Sequence, residues 1–226
     1  MNKGILILKA LLSIPKTIYF NFKVFNFSTA IKLPILITNN VRIKGIYKGC
    51  ISIKETKIKP FMIVVGLGGS DAIESNKGII YIEKKHNAKI NFSSSARFSE
   101  GCRLYIKEGI LNFGKNFRSN KNLFISCDEC ISFGDDVVLG WNVTLRDSDG
   151  HFIIDDGKRK QNLGTIEIGN HNWICSYVTI LKNNYTGNDC VVAYNSCMTG
   201  NSSTENNCLY AGYPAKVIKK DINWEE

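Results

Sequence analysis

Ile168, Ile174, Ile180, Thr186, Val192 and Met198 follow one another at intervals of six residues without a slip. Phe133, Leu139 and Leu145 keep the same interval, and so do Phe92, Phe98 and Leu104. Between 104 and 133 the phase is lost. A sandwich would alternate with period two and turn at irregular distances, whereas a period of six suits a solenoid. A strand of about four residues with a two-residue turn makes one side of a triangular coil. One side chain per side then points inward, and each coil pairs its backbone with the coils above and below. From about residue 41, short Ile/Val/Phe-rich pieces separated by Gly, Asn, Asp and Lys fit this all-β reading.

Three stretches carry a family resemblance: 168-IGNHNWICSYVTILKN-183, 186-TGNDCVVAYNSCMT-199 and 211-AGYPAKVIKK-220. They resemble the left-handed β-helix acyltransferases with hexapeptide repeats, in particular the acetyl-CoA-dependent O-acetyltransferases of sugars and cell-surface polysaccharides. The closing A-G-x-P-A-K-V-I is the most specific element, and the likeness runs from about 104 to 220. The implied fold class is a left-handed parallel β-helix, a hand that the usual right-handed crossover preference would not predict. The expected organisation is a basic, aromatic extension over 1–40, a β-helix over 41–212 interrupted by a loop at 146–165, and a tail over 213–226. The resemblance also implies homotrimers with an active site in each cleft between neighbours, and a catalytic histidine on the interrupting loop.

That loop, 146-RDSDGHFIIDDGKRKQNLGT-165, contains His151. Acetyl transfer from a thioester to a hydroxyl needs a base for the hydroxyl proton, donors for the tetrahedral oxyanion and alignment of two substrates. Imidazole suits the first task, and a carboxylate beside it fixes its tautomer. Asp149 and Asp147 are the carboxylates within sequence reach, with a backbone carbonyl as the alternative orienter. Taken alone, 147-DSDGH-151 also reads as a polar turn. His171 reads as a solvated turn residue and His86 as a surface residue. Three scattered histidines without an H-x₄-H pair do not resemble the zinc site of the γ-class carbonic anhydrases, and no metal is expected.

Other positions take their expected roles from the resemblance. Trp173 stands where an aromatic meets the reacting thioester, although packing on the solenoid is an equal reading. Ser176, Ala193, Tyr194 and Thr199 follow the pantetheine track; Tyr194 departs from the family's small residue there, and Gly200 replaces a commoner lysine. Lys216 and Lys219 match positions that meet the coenzyme A phosphates. Trp141 and Asn142, in 139-LGWNVT-144, are candidates for the acceptor sugar, with a covering role at the trimer interface as the alternative.

The formal net charge is +9. Residues 1–60 hold eleven Lys or Arg against the single acid Glu55, so the remainder is close to neutral. A basic head on a neutral body points to an anionic surface or ligand met at one end, and no nucleic-acid motif accompanies it. Residues 1–40 predict one or two short helices, acting either as a packing arm or as a basic, aromatic foot for residues 1–30 on an anionic membrane face. Lys9 interrupts the N-terminal apolar run, and no uninterrupted stretch approaches the ~18 residues of a membrane span. The eight cysteines, including the pair Cys127 and Cys130, read as free thiols in a reducing compartment. The expected location is cytoplasmic, with peripheral contact at the inner membrane face left open. The run 66-GLGGS-70 lacks the ending of a phosphate loop and reads as a tight corner. The expected function is acetyl-CoA-dependent O-acetylation of a sugar hydroxyl in a cell-surface polysaccharide or its precursor, without an acyl-enzyme. The rivals are N-acetylation of an amino sugar and a non-catalytic glycan-binding solenoid.

Overall fold

The computed structural model describes residues 3–83, 88–200 and 205–225; His86 lies outside the described residues. The chain winds into a three-sided prism of short parallel strands, a left-handed parallel β-helix. Face A stacks Ile35–Ile37, Ile63–Val65, Ala96–Phe98, Phe117–Ser119, Val138–Leu139, Trp173–Ile174, Val191–Val192 and Leu209–Gly212. Face B runs from Val41–Lys44 to Cys197–Met198, and face C from Ile51–Ile53 to Asn184–Thr186. The six-residue series falls one residue per side: Ile168 on C, Ile174 on A, Ile180 on B, Thr186 on C, Val192 on A and Met198 on B.

The lost phase between 104 and 133 has a local cause. Leu104 pairs in register with Ile125 on face B, and Phe113 with Phe133 on face C. The extra residues therefore sit between faces B and C, at 107–109 and 128–129. In the next coil the same corner absorbs the long loop between Thr144–Arg146 and Ile166–Ile168. Insertions at a corner leave the pairing of every flat side intact, and one corner carries all three.

Inside the prism the side chains form continuous ladders. Phe92, Phe113 and Phe133 stack along face C, with centroids 5.2 and 5.4 Å apart, and Phe98 and Phe117 pack across from them. Such aromatic pairs add about 0.5–1.5 kcal/mol each beyond their burial. At the corners, Asn116, Asn122, Asp136, Asn142, Asn183, Asp189, Asn195 and Asn207 all adopt positive φ. Asn and Asp tolerate that left-handed conformation because their short polar side chains bond locally. His171 (φ 49°) and Tyr177 (φ 62°) occupy the same kind of position. The run 66–70 is a corner as expected, with Gly66, Gly68 and Gly69 at positive φ.

A stack of strands must also be closed at its ends, where backbone groups lack a neighbour. Three helices precede the prism: α1 (Lys3–Leu12), α2 (Ile14–Val24) and α3 (Phe27–Ala30). Helix α2 lies along Ile35–Ile37 and stands in for a missing strand. Asn21 Nδ2 donates to Ile35 O (2.7 Å) and its Oδ1 accepts from Ile35 N (3.1 Å). Thr17 Oγ1 accepts from Ile37 N (3.1 Å) and donates to Ile37 O (3.3 Å). Residues four apart share a helix face, so Thr17 and Asn21 meet alternate residues of the strand while Phe20 and Val24 plug the core. At the far end, Ala215–Lys219 folds back antiparallel on Leu209–Gly212, and Trp224 Nε1 donates to His171 O (2.8 Å).

Two expected boundaries shift. The prism begins at Ile35, not 41, because Ile35–Ile37 pairs with Ile63–Val65, and its last sheet strand extends to Lys219. The extension is a packing arm only in part: α2 is held, whereas α1 buries none of its residues. Asn21→Leu strands both Ile35 backbone groups, and each unpaired buried group costs about 1–3 kcal/mol. We expect a loss of roughly 2–4 kcal/mol in urea denaturation; an unchanged midpoint would show that α2 does not close the stack.

Candidate functional site

The inserted loop leaves face B at Arg146 and returns on face C at Ile166, so it projects from the B–C corner. Its base is firmly tied. Asp147 is fully buried, and its carboxylate accepts from the Asp128 and Glu129 amides (2.8 and 2.9 Å), bracing the turn of the preceding coil. Burial pushes its carboxyl above the usual aspartate range, against the lowering effect of those two amide bonds. Ser148 bridges to Leu163, and Asp149 N donates to Asn162 O (2.9 Å). Asp149 Oδ2 pairs with Lys182 Nζ (2.7 Å), and Lys182 also holds Gln161 O. Both aspartates expected beside His151 therefore have other partners: Asp147 serves the coil below, and Asp149 clamps the loop to the coil above. His151 itself is exposed, with no hydrogen-bond partner among the described residues. It is followed by an exposed apolar tip, Phe152, Ile153 and Ile154, with Arg159 stacked over the Phe152 ring at 4.4 Å.

A second group of expected residues converges elsewhere. A cavity of about 420 Å³ opens on face A and the A–B corner, lined by Trp141, Trp173, Cys175, Ser176 and Tyr194 together with Asn120, Val138, Leu139 and Gly140. Its walls are coil positions stacked in register: Gly140, Cys175 and Ala193 donate successively to Ile174, Val192 and Tyr210 carbonyls. Gly140 is needed for this close approach, since a Cβ there would lie 2.5 Å from Ser176 N and Oγ. Ser176 Oγ instead accepts from the Trp141 amide (3.1 Å), which fixes the ledge beneath the indole. Burial pushes the Cys175 thiol up to about 11, so it stays protonated at neutral pH and is poorly suited to act as a nucleophile.

The remaining expected residues separate. Ala193 adjoins the cavity through Tyr194, with its amide already bonded to Tyr210 O. Lys216 pairs opposite Ala211, near the end of the strand that turns at the A–B corner, and Lys219 lies opposite Leu209 at the other end. Thr199 follows Met198 on face B and lies toward the B–C corner, so it is not on the cavity wall. Asn142 does not line the cavity either; its left-handed corner backbone accounts for its identity. His171 is a turn residue, but it is not merely solvated. Its Nδ1 lies 2.9 Å from Asp189 Oδ1, and its ring stacks on Trp224 at 4.3 Å. The histidine–carboxylate pair expected at 151 is thus found at 171, where the C-terminal tail covers it.

One cavity neighbour escaped the sequence reading. Tyr177 takes the corner position that Asn142 and Asn195 hold in adjacent coils, donates its amide to Trp141 O (2.9 Å), and packs its ring against Tyr194 at 5.4 Å. A bulky side chain at positive φ is strained by about 1–3 kcal/mol. The six-residue register could have revealed it as an aromatic in an asparagine slot. Tyr177→Asn should therefore raise stability by about 1 kcal/mol in urea denaturation; a destabilised variant would show that the tyrosine's packing outweighs the backbone strain.

No family model matches the sequence. Curated relatives do. WbbJ of Escherichia coli K12, described as a lipopolysaccharide-biosynthesis O-acetyl transferase, is 29% identical over 147 residues, covering 60% of this chain and 74% of its own. The galactoside O-acetyltransferase of the same strain is 32% identical over 125 residues, covering 54% of this chain and 57% of its own. Among solved structures, the polysialic-acid-specific acetyltransferase NeuO superposes with a TM-score of 0.53 at 22% identity, over 85% of this chain and 71% of that one, which speaks for the fold. In fold and in its six-residue repeat the chain resembles the left-handed β-helix acyltransferases with hexapeptide repeats, and the curated relatives it matches are O-acetyltransferases.

Proposed function

We propose that the protein moves an acetyl group from acetyl-CoA to a sugar hydroxyl of a cell-surface polysaccharide or its precursor, in a homotrimer whose sites are shared between subunits. One observation carries this reading. The histidine loop and the aromatic cavity stand on different corners of the prism, B–C and A–B, so one chain does not bring its own His151 to its own cavity. With face B turned toward a threefold axis, side-by-side packing of the prisms sets the B–C corner of one subunit against the A–B corner of the next. The apolar tip Phe152–Ile154 then gains a partner surface, and His151 reaches the cavity of the neighbour.

In that arrangement the chemistry is direct transfer. His151 accepts the acceptor hydroxyl proton as the oxygen attacks the thioester carbonyl. The tetrahedral intermediate collapses by breaking the C–S bond, and the imidazolium returns the proton to the departing thiolate. Trp141, Trp173 and Tyr194 exclude water and hold the acyl arm, and the protonated Cys175 thiol argues against a cysteine acyl-enzyme. Lys216 is the cation best placed for the coenzyme A phosphates. The sequence relatives named for O-acetyl transfer support a hydroxyl acceptor. A lipid-linked precursor would place the reaction at the inner membrane face, and the basic N-terminal segment is the part suited to that surface.

His151→Ala should lower acetyl transfer by about 100-fold or more while acetyl-CoA affinity and the folded state persist; full residual activity would exclude His151 as the base. Mixing His151→Ala chains with Trp173→Ala chains tests the shared site. Each inactive variant should complement the other in mixed oligomers, and no recovery would place base and cavity in one subunit. An acceptor panel read by mass spectrometry separates sugar hydroxyls from sugar amines, and transfer only to amines would overturn the O-acetyl reading.

A further inference from the structure

Half of the exposed large apolar side chains among the described residues fall within residues 5–31. Single exposed apolar residues are ordinary on a protein surface, but a contiguous group marks a contact. Helix α1 presents Ile5, Ile7, Leu8, Leu11 and Leu12 to solvent and buries nothing. On α2 the held side is Thr17, Phe20, Asn21 and Val24. Tyr19 and Phe22 lie on the opposite side of the helix and are exposed. Because Thr17 and Asn21 close the first strand of the stack, that outer side faces along the prism axis, beyond the end of the solenoid. Subunits packed side by side leave this end uncovered. Around a threefold axis parallel to the prisms, all three ends would face the same way.

The charge at this end identifies the occupant. Lys3, Lys23, Lys32 and Lys48 are exposed on or beside the helices, and no acid occurs before Glu55. Lys9 and Lys16 are engaged internally, Lys9 with Glu100 at 2.7 Å and Lys16 with the Asn39 and Val41 carbonyls. These two fasten the helices to the prism. Apolar and aromatic side chains surrounded by lysines match a bilayer surface with anionic headgroups, where each lysine near the surface contributes about 1 kcal/mol.

The segment rests on the bilayer without crossing it. At 1.5 Å per residue, α1 and α2 are each only about 15 Å long, against a hydrocarbon core of about 30 Å. They meet at 54°, and a span would require α2 to release the first strand. We infer that residues 3–31 form a monotopic foot that seats the open end of the β-helix on an anionic membrane leaflet, with α1 and the outer side of α2 entering the headgroup region.

The test needs no substrate, so it stands apart from the acetyl-transfer reading. Full-length protein is sedimented with phosphatidylcholine vesicles and with mixed phosphatidylcholine–phosphatidylglycerol vesicles, at low and high salt, and its oligomeric state is followed by light scattering. Binding to the mixed vesicles, weakened by salt, is expected. Leu8→Glu/Leu11→Glu and, separately, Tyr19→Glu should each weaken it about tenfold or more with oligomeric state and circular dichroism unchanged. Equal binding to both vesicle types, or variants that bind like the wild type, overturns the inference. Variants that break the oligomer while vesicle binding persists assign the face to a contact between copies instead.

Discussion

Everything in this molecule follows from one requirement, that each short strand pair with the coil above and the coil below. Strands of two to five residues have no independent stability, and only a continuous stack satisfies their backbone groups. The flat sides are thereby fixed in length and register, and the inward side chains are restricted to shapes that stack, such as the Phe92–Phe113–Phe133 ladder. Freedom survives at the corners and at the two ends. Those are the places where the polar, aromatic and basic peculiarities of this sequence are found.

The corners divide the chemistry. The early coils lengthen the other two corners at 54–62 and 66–77, but beyond Ala96 length variation is concentrated at the B–C corner, which absorbs the extra residues of two coils and then the loop that bears His151. The A–B corner keeps its six-residue rhythm in the later coils, and its stacked positions build a wall: Gly140, Cys175 and Ala193 in one row, Trp141, Ser176 and Tyr194 in the next. A wall of repeats can hold an extended ligand arm, and a loop can carry a base. The prism holds the two on different corners.

Much of this was legible in the sequence, for a physical reason: inward positions must be apolar, so the period of six shows directly in Ile168 to Met198. The phase is lost between 104 and 133 in the sequence because a linear text does not show which corner takes the extra residues. Trp141, Trp173, Ser176 and Tyr194 come together at one cavity because each is tied to the register. Asn142 and Thr199 fall outside that lining, since neighbours in sequence around a corner point to different faces. The start of the prism at Ile35 was hidden by helix α2. Asn21 and Thr17 read as ordinary helical polar residues, and their service to a strand edge appears only in three dimensions.

The aspartates of 147-DSDGH-151 show how proximity in sequence misleads. A carboxylate two or four residues from a histidine is within sequence reach to orient it, yet a long insertion in a solenoid faces a prior demand. Its two ends must be pinned to adjacent coils, or the insertion would loosen the pairing on either side. Asp147 answers that demand below, through the Asp128 and Glu129 amides, and Asp149 answers it above, through Lys182. The loop is thus rigid at its base while His151 and the apolar residues after it remain exposed. In the proposed trimer, the exposed His151 takes its orienting partner and its dry surroundings from the surface of another subunit.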